Sequence, residues 1–352
     1  MKKILYAYDL VENDNEYMER MVEISKTIEN LEVVSSLNEF WKPTTHYNAI
    51  VINWPDYLFR WKRNISDSEV EKLQSLLEYY KKCGTKIITV LHDEYAHRSR
   101  SENRNLIFDI CFQNSNILAH LGEFSQKEYS EKFKNLNIKH KLLYHPKYKY
   151  FNFDLNKENV RKAFGFKPKD FIIIVPGGIR HQYEEDYVNK IFNNIKIKHK
   201  KLIYLRATHI DKPIKKITSR RFIFFKLKER YIQLFHKRVY KYKFLDSKIL
   251  SEYFTAADLV ILPRIDILNS GNVILGSQFN KLIIGPKIGN INEWLLKFNH
   301  ISILPSSVDN KSFSETITTE IKHHLENQSK HTEISYITDQ LIAQQLSDIL
   351  FN

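Results

Sequence analysis

The chain has 352 residues, 43% of them hydrophobic, and a net charge of +13 from 54 Lys and Arg against 41 Asp and Glu. That length suits two domains of ordinary size, each with its own core. No stretch reaches the roughly 18 uninterrupted apolar residues of a membrane span, and Cys83 and Cys111 are too few for a disulfide framework or a metal cluster. Asp9 ends the first apolar run too early for a signal peptide, so Lys3–Tyr8 reads as a strand and the chain as cytosolic. The positive excess has two readings. It fits an anionic partner (nucleic acid, acidic lipid or a phosphorylated substrate), and it fits a composition rich in Lys, Asn and Ile that has no partner in view.

Apolar runs then alternate with helical patterns. Glu16–Ile28 is helical in spacing, and Asn48–Trp54 reads as a strand. Ser66–Lys82 carries helical spacing at Val70, Leu73, Leu76, Leu77 and Tyr80, opens on a capping serine and stops at Cys83-Gly84. Lys86–Leu91, Ile117–His120 and Lys141–Tyr144 read as strands; Asn103–Gln113 and Ser125–Phe133 read as helices. Strands alternating with helices imply a parallel sheet with crossovers. The irregular, aromatic stretch from His145 to Asn156 reads as a linker. Beyond it the alternation resumes: Phe171–Val175 a strand, Glu184–Ile195 a helix, Leu202–Leu205 a strand and Lys248–Ala257 a helix. Ile334–Leu350 reads as a closing amphipathic helix.

The stretch 212–243 differs from the rest. It is dense in Lys, Arg, Phe and Tyr, and Glu229 is its lone acid. Three readings stand: a helix and strand with a solvated basic face, contact with an anionic membrane surface, or nucleic-acid binding. The last is the weakest, because no nucleic-acid motif accompanies it.

Leu245–Gly289 carries the most chemical information. A helix ending in Ala256-Ala257-Asp258 feeds the apolar run Leu259–Leu262. A polar turn, Asp266–Gly271, opens the next helix, and Leu282–Ile284 closes in Gly285-Pro286. This is a strand–turn–helix–strand unit with Asn269, Ser270 and Gly271 at a helix N-terminus. Free backbone N–H groups and the helix dipole favour an anion there, and Gly271 lets a phosphate approach closely.

The order of these residues resembles the donor half of GT-B glycosyltransferases of the retaining group-1 type, found in bacterial polysaccharide synthesis. The likeness extends to four other places. Asn53-Trp54-Pro55-Asp56 is similar to the family's His-Trp-Pro-acid loop, and Thr89-Val90-Leu91-His92 to its Thr-Val-His loop. Leu121-Gly122-Glu123 stands at another strand end. Pro176-Gly177-Gly178-Ile179-Arg180 is similar to the glycine-rich turn that opens the donor domain. The implied fold is α/β: two Rossmann-like parallel-sheet domains facing a cleft, with a last helix crossing back to the first. The implied limits are 1–150 for an acceptor domain, 151–333 for a donor domain and 334–352 for the returning helix.

The implied activity is transfer of a sugar from a nucleotide-sugar donor to a glycan acceptor, lipid-linked as in capsule or O-antigen assembly. It needs no metal or other cofactor. Gly178, Arg180, Arg206, Arg264, Asn269, Ser270 and Gly271 would hold the donor. His92 would stand near the transferred sugar, and Asp56 and Asp93 are the candidate bases if the course is inverting. Asp56 also fits a turn cap, and His92 a plain loop residue. Two family features are absent. No Lys follows Arg180, and Leu268 and Gly276 occupy the places of two glutamates, the second of which binds the ribose. A binder of nucleotide sugar without turnover is therefore the other reading.

Overall fold

The computed structural model describes residues 1–10, 15–95, 102–208, 220–310, 312–326 and 334–351. The chain divides into two compact units, Met1–Lys149 with Ser335–Asn352, and Tyr150–Ile334.

The first unit is a six-stranded parallel sheet in the order β2-β1-β3-β4-β5-β6. Its strands are β1 Lys2–Tyr6, β2 Leu31–Ser35, β3 Ala49–Ile52, β4 Lys86–Leu91, β5 Ile117–His120 and β6 Lys139–Leu142. The helices are α1 Glu16–Ser25, α2 Leu37–Trp41, α3 Asp67–Lys82, α4 Glu102–Asn114 and α5 Glu123–Lys132. The central strands β3 and β5 are buried at every position, as expected where helices cover both faces of a parallel sheet. β2 is half-buried throughout because it forms an edge. Helix α3 begins with a reciprocal capping box between Ser66 and Glu69 and ends before Gly84, whose φ of +74° suits glycine.

The last helix, α13 (Asp339–Phe351), packs in this unit against α1. Arg20 of α1 donates to both carboxylate oxygens of Asp339, at 2.6 and 2.5 Å. At the other end Lys86 Nζ donates to the carbonyls of Ile349 and Leu350, and Lys2 Nζ to that of Leu350. Two cations thus satisfy carbonyls that a helix end leaves without partners, and they meet the negative end of its dipole. The last turns bury Ile342, Leu346, Ile349 and Leu350. The predicted span 334–350 is thus split, with a short 3-10 turn at Ile334–Tyr336 before the helix proper.

The second unit has its own six-stranded parallel sheet, ordered β12-β11-β10-β7-β8-β9. Its strands are β7 Phe171–Val175, β8 Lys200–Tyr204, β9 Arg238–Tyr240, β10 Leu259–Ile261, β11 Leu282–Pro286 and β12 Ile301–Ile303. The helices are α6 Lys157–Ala163, α7 Gln182–Asn194, α8 Arg220–Tyr231, α9 Ser247–Ala256, α10 Gly271–Gln278, α11 Gly289–Lys297 and α12 Phe313–Glu326. Its core gathers Ile173, Val188, Ile191, Leu202, Leu259 and Ile284, all fully buried. Asp258, just before β10, accepts from the Ile172 amide at 2.8 Å and pairs with Arg161 at 2.5 Å, so it registers β10 beside β7.

A buried histidine pair closes the far side of the first unit. His120, at the end of β5, is fully buried with Nε2 2.9 Å from His140 Nδ1. Burial, helped by His140, pushes its pKa down to about 3. The unfolded chain binds a proton near pH 6.5 and the folded one does not until about pH 3. The folded state therefore loses nothing above pH 6.5 and progressively more below it. At pH 5.5 the expected loss is on the order of 1 kcal/mol. His140 and His145, also held down by burial, add to the same slope, so a His120→Gln variant should reduce it in urea melts taken from pH 7.5 to 5; an unchanged slope would place the effect elsewhere.

Candidate functional site

In the second unit the strand order reverses between β7 and β10. Ligands of open α/β sheets bind outside the carboxyl ends of the strands at such a point. A pocket of about 160 Å³ lies there. Pro176 and Gly177 line it from the end of β7, Arg264 from the end of β10, and Asn269, Ser270, Gly271 and Asn272 from the start of α10.

Each wall has a local cause. Gly177 holds φ at +79°, and a Cβ there would stand 3.2 Å from Asn272 Nδ2. Glycine both permits the turn and keeps the pocket open. The Ser270 hydroxyl makes no cap to α10, so the first amides of that helix are not capped by it. Arg264 donates to the Gly178 carbonyl at 3.4 Å, and its Nε lies 4.0 Å from Glu184 Oε1. Glu184 is itself buried and accepts from the amides of Arg180 (2.5 Å) and His181 (3.2 Å) at the head of α7. One carboxylate thus holds the head of α7 and steadies Arg264.

The polar turn before α10 is fixed from behind. Asn290, fully buried, donates through Nδ2 to Asn269 Oδ1 at 2.8 Å and through its amide to the Leu268 carbonyl at 3.1 Å. Gly289 lies against the same carbonyl, where an added Cβ would come within 2.8 Å. Tyr183 of α7 donates to Asp266 at 2.7 Å. The chemistry this allows is anion binding: helix-head amides that Ser270 does not cap, a guanidinium, and a glycine wall.

Of the donor residues named from the sequence, Arg264, Asn269, Ser270 and Gly271 line this pocket. Gly178 and Arg206 adjoin it. A Cβ at Gly178 would lie 3.8 Å from Arg206 Cδ, and the Arg206 guanidinium lies 5.4 Å from the centre of the Phe244 ring. Arg180 does not line the pocket; it stands at the head of α7 with its amide held by Glu184. The sequence places Gly177 only within the glycine-rich turn, without a donor role, and gives none to Asn272, Glu184, Gly289 or Asn290. The signals were present in part: Glu184 follows His181 at capping-box spacing, and Gly289-Asn290 stands three residues beyond the strand that ends at Gly285-Pro286.

In the first unit the order reverses between β1 and β3. Aromatic rings collect at that mouth. His92, following β4, stacks on Trp54 at 4.6 Å and meets the edge of Tyr17 at 4.8 Å. Tyr8 stacks on Tyr57 at 4.1 Å, and Trp61 lies 5.5 Å from Tyr57 and 6.0 Å from Trp54. Arg60 and Trp61 both take left-handed backbone, φ +51° and +58°, which is costly for non-glycine residues. Trp61 stays 43% exposed. His92 is thus a buried wall of this cluster, and Asp93 beside it is partly exposed.

Asp56 departs from its predicted role. Instead of presenting a carboxylate at the mouth, it is buried in the turn Pro55–Phe59 and paired with Arg104 of α4 at 2.9 Å, both side chains nearly inaccessible. A carboxylate locked by a buried guanidinium is a structural anchor. His97, the other histidine of the loop after β4, lies outside the described residues, as do residues 212–219 of the basic stretch. Among the described residues no three His, Cys, Asp or Glu side chains come together to hold a metal ion, and no helix is long and apolar enough to cross a membrane.

No family model matches the sequence, and no curated protein matches it. Solved structures do match over nearly the whole chain. Sucrose-phosphate synthase from Thermosynechococcus elongatus superposes with a TM-score of 0.61 at 10% identity, covering 99% of this chain and 98% of its own. Anabaena HepE in complex with UDP-glucose gives 0.59 at 13% identity, covering 99% and 100%. A protein described as a UDP-N-acetylglucosamine 2-epimerase from Listeria monocytogenes gives 0.57 at 10% identity, covering 100% and 98%. The chain has the GT-B fold, as the two six-stranded parallel sheets and these matches show. At such identities the likeness fixes the fold and leaves the reaction to the site.

Proposed function

We propose that the chain is a glycosyltransferase that binds a nucleotide-sugar donor in the second unit and transfers its sugar to a glycan acceptor in cell-surface polysaccharide synthesis. The observation that carries this reading is the pocket at the β7/β10 reversal, with Gly177, Arg264 and the head of α10 around one cavity. A diphosphate is the anion that such a set suits. As the glycosidic bond breaks, charge builds on the leaving diphosphate. Donors already in place around it stabilise that charge without reorganisation, and no metal ion is required for it. The aromatic mouth of the first unit suits the apolar faces of an acceptor sugar. His92 stands there as the candidate to bond a hydroxyl or move a proton. The retaining course follows the motif likeness, and the product anomer read by NMR tests it.

Calorimetric titration with UDP, GDP and ADP, with and without chelator, tests the donor site. One nucleoside diphosphate is expected to bind in both conditions. Arg264→Ala should weaken it by about tenfold or more, the worth of a charge-assisted contact. Binding of none of them would overturn the proposal.

A second reading has an observation of its own. A Cβ at Gly276 would come within 2.8 Å of Ile283 Cδ1 and 3.7 Å of Phe254, so the position faces core side chains, and the glutamate that binds ribose in the family would have to displace Ile283 there. A protein that binds nucleotide sugar without turnover would show the same calorimetry but release no nucleoside diphosphate with any glycan acceptor.

A further inference from the structure

Helix α8 and the π-helical turn that follows it, Ile232–His236, precede the edge strand β9. Glu229 fixes how the helix faces: it accepts from Tyr242 Oη at 2.9 Å and from Lys226 at 2.6 Å. That turns one face toward the domain. Ile223, Phe224, Leu227, Tyr231, Leu234 and Phe235 recur at helical spacing on another, and all six are exposed. Phe224 is 72% and Phe235 69% accessible, and the Tyr231 and Phe235 rings lie 4.7 Å apart along the stripe. Lys228, Arg230 and Lys237 are also exposed beside it.

A row of large apolar side chains on a soluble domain marks an interaction surface. We propose that this stripe seats on an anionic lipid bilayer, its apolar side chains in the headgroup boundary and its cations against the lipid phosphates. Three features select that occupant. The stripe has exposed cations beside it, so apolar and positive groups share one surface, which suits an anionic interface. From Arg220 to Lys243 the chain has nine Lys and Arg and one acid, which draws it to a negative surface at a gain per cation of about fivefold in affinity. A second copy is disfavoured, because two such faces would bring like charges together. The docking is independent of the nucleotide pocket and goes beyond the donor reading.

Co-sedimentation of the full chain with phosphatidylglycerol–phosphatidylcholine vesicles, against pure phosphatidylcholine vesicles, tests it. Wild type should sediment with the first and stay in solution with the second. The triple variant Phe224→Ser, Leu227→Ser, Phe235→Ser should lose about tenfold or more of that affinity, and Lys228→Gln with Arg230→Gln about tenfold or more. All these side chains are exposed, so the melting temperature should stay near that of wild type, which a thermal melt checks. Equal partition to both vesicle types, or to neither, overturns the proposal. So does binding that the serine variant leaves intact, which would be charge attraction alone. A wild-type dimer in sedimentation velocity that the serine variant dissociates would assign the stripe to a second copy instead.

Discussion

Replacing Arg104 with methionine is expected to cost about 3–5 kcal/mol of stability, the usual loss when one partner of a buried ion pair is removed. Arg104 is the largest fully buried side chain of the protein's described residues, and its partner Asp56 is 3% exposed. Methionine fills much of the volume but leaves the buried Asp56 carboxylate without its guanidinium partner. The double variant Arg104→Met, Asp56→Leu should regain most of the loss, because the cost lies in the stranded charge more than in the missing attraction. Urea unfolding followed by tryptophan fluorescence measures both. A loss below about 1 kcal/mol in the single variant would mean that water reaches the site. The pair also ties α4 to the turn that presents Trp54 to His92, so milder variants at Asp56 should act on the aromatic mouth through position, without any role in proton transfer.

The larger functional effect is expected at Gly177. Gly177→Val forces a β-branched residue into φ +79° and drives its Cβ against Asn272, with its methyl groups in the pocket. Nucleoside diphosphate affinity should fall by about a hundredfold or more, about 2.7 kcal/mol. The neighbouring glycine sets the contrast. A Cβ at Gly178 meets nothing closer than 3.7 Å, so Gly178→Ala should bind nearly as wild type. Calorimetry on both, with a thermal melt to confirm folding, decides. Equal losses at the two positions would mean that the whole turn shifts on binding and that the cavity seen here is not the site.

The alternation of strands and helices, the reading of each unit as a parallel sheet, and the turn at Asn269–Gly271 could be read from the chain itself. Central strands such as Ile50–Ile52 and Ile172–Val175 are continuous apolar runs with no competing pattern. The edges escaped. β2 (Leu31–Ser35), β9 (Arg238–Tyr240) and β12 (Ile301–Ile303) are short or half-buried, so an apolar run barely forms. The site residues divide in the same way. Backbone donors advertise themselves through turn chemistry, whereas Asp56 at a strand end looks identical whether it faces a ligand or a buried arginine 48 positions on. Only the fold brings Arg104 to it. Gly177 and Gly178 are likewise indistinguishable in sequence, and it is the neighbouring Asn272 that separates them.

The capping of α13 by Lys2 and Lys86 bears on the order in which the chain folds. The first unit is discontinuous: Met1–Lys149 needs Ser335–Asn352 to complete it, and the whole second unit lies between them in the chain. On the ribosome, Tyr150–Ile334 can assemble its sheet while the first unit still lacks the helix that covers α1. Unit one therefore matures last although it is made first. Until Ile342, Leu346 and Ile349 arrive, the seat they fill is open apolar surface.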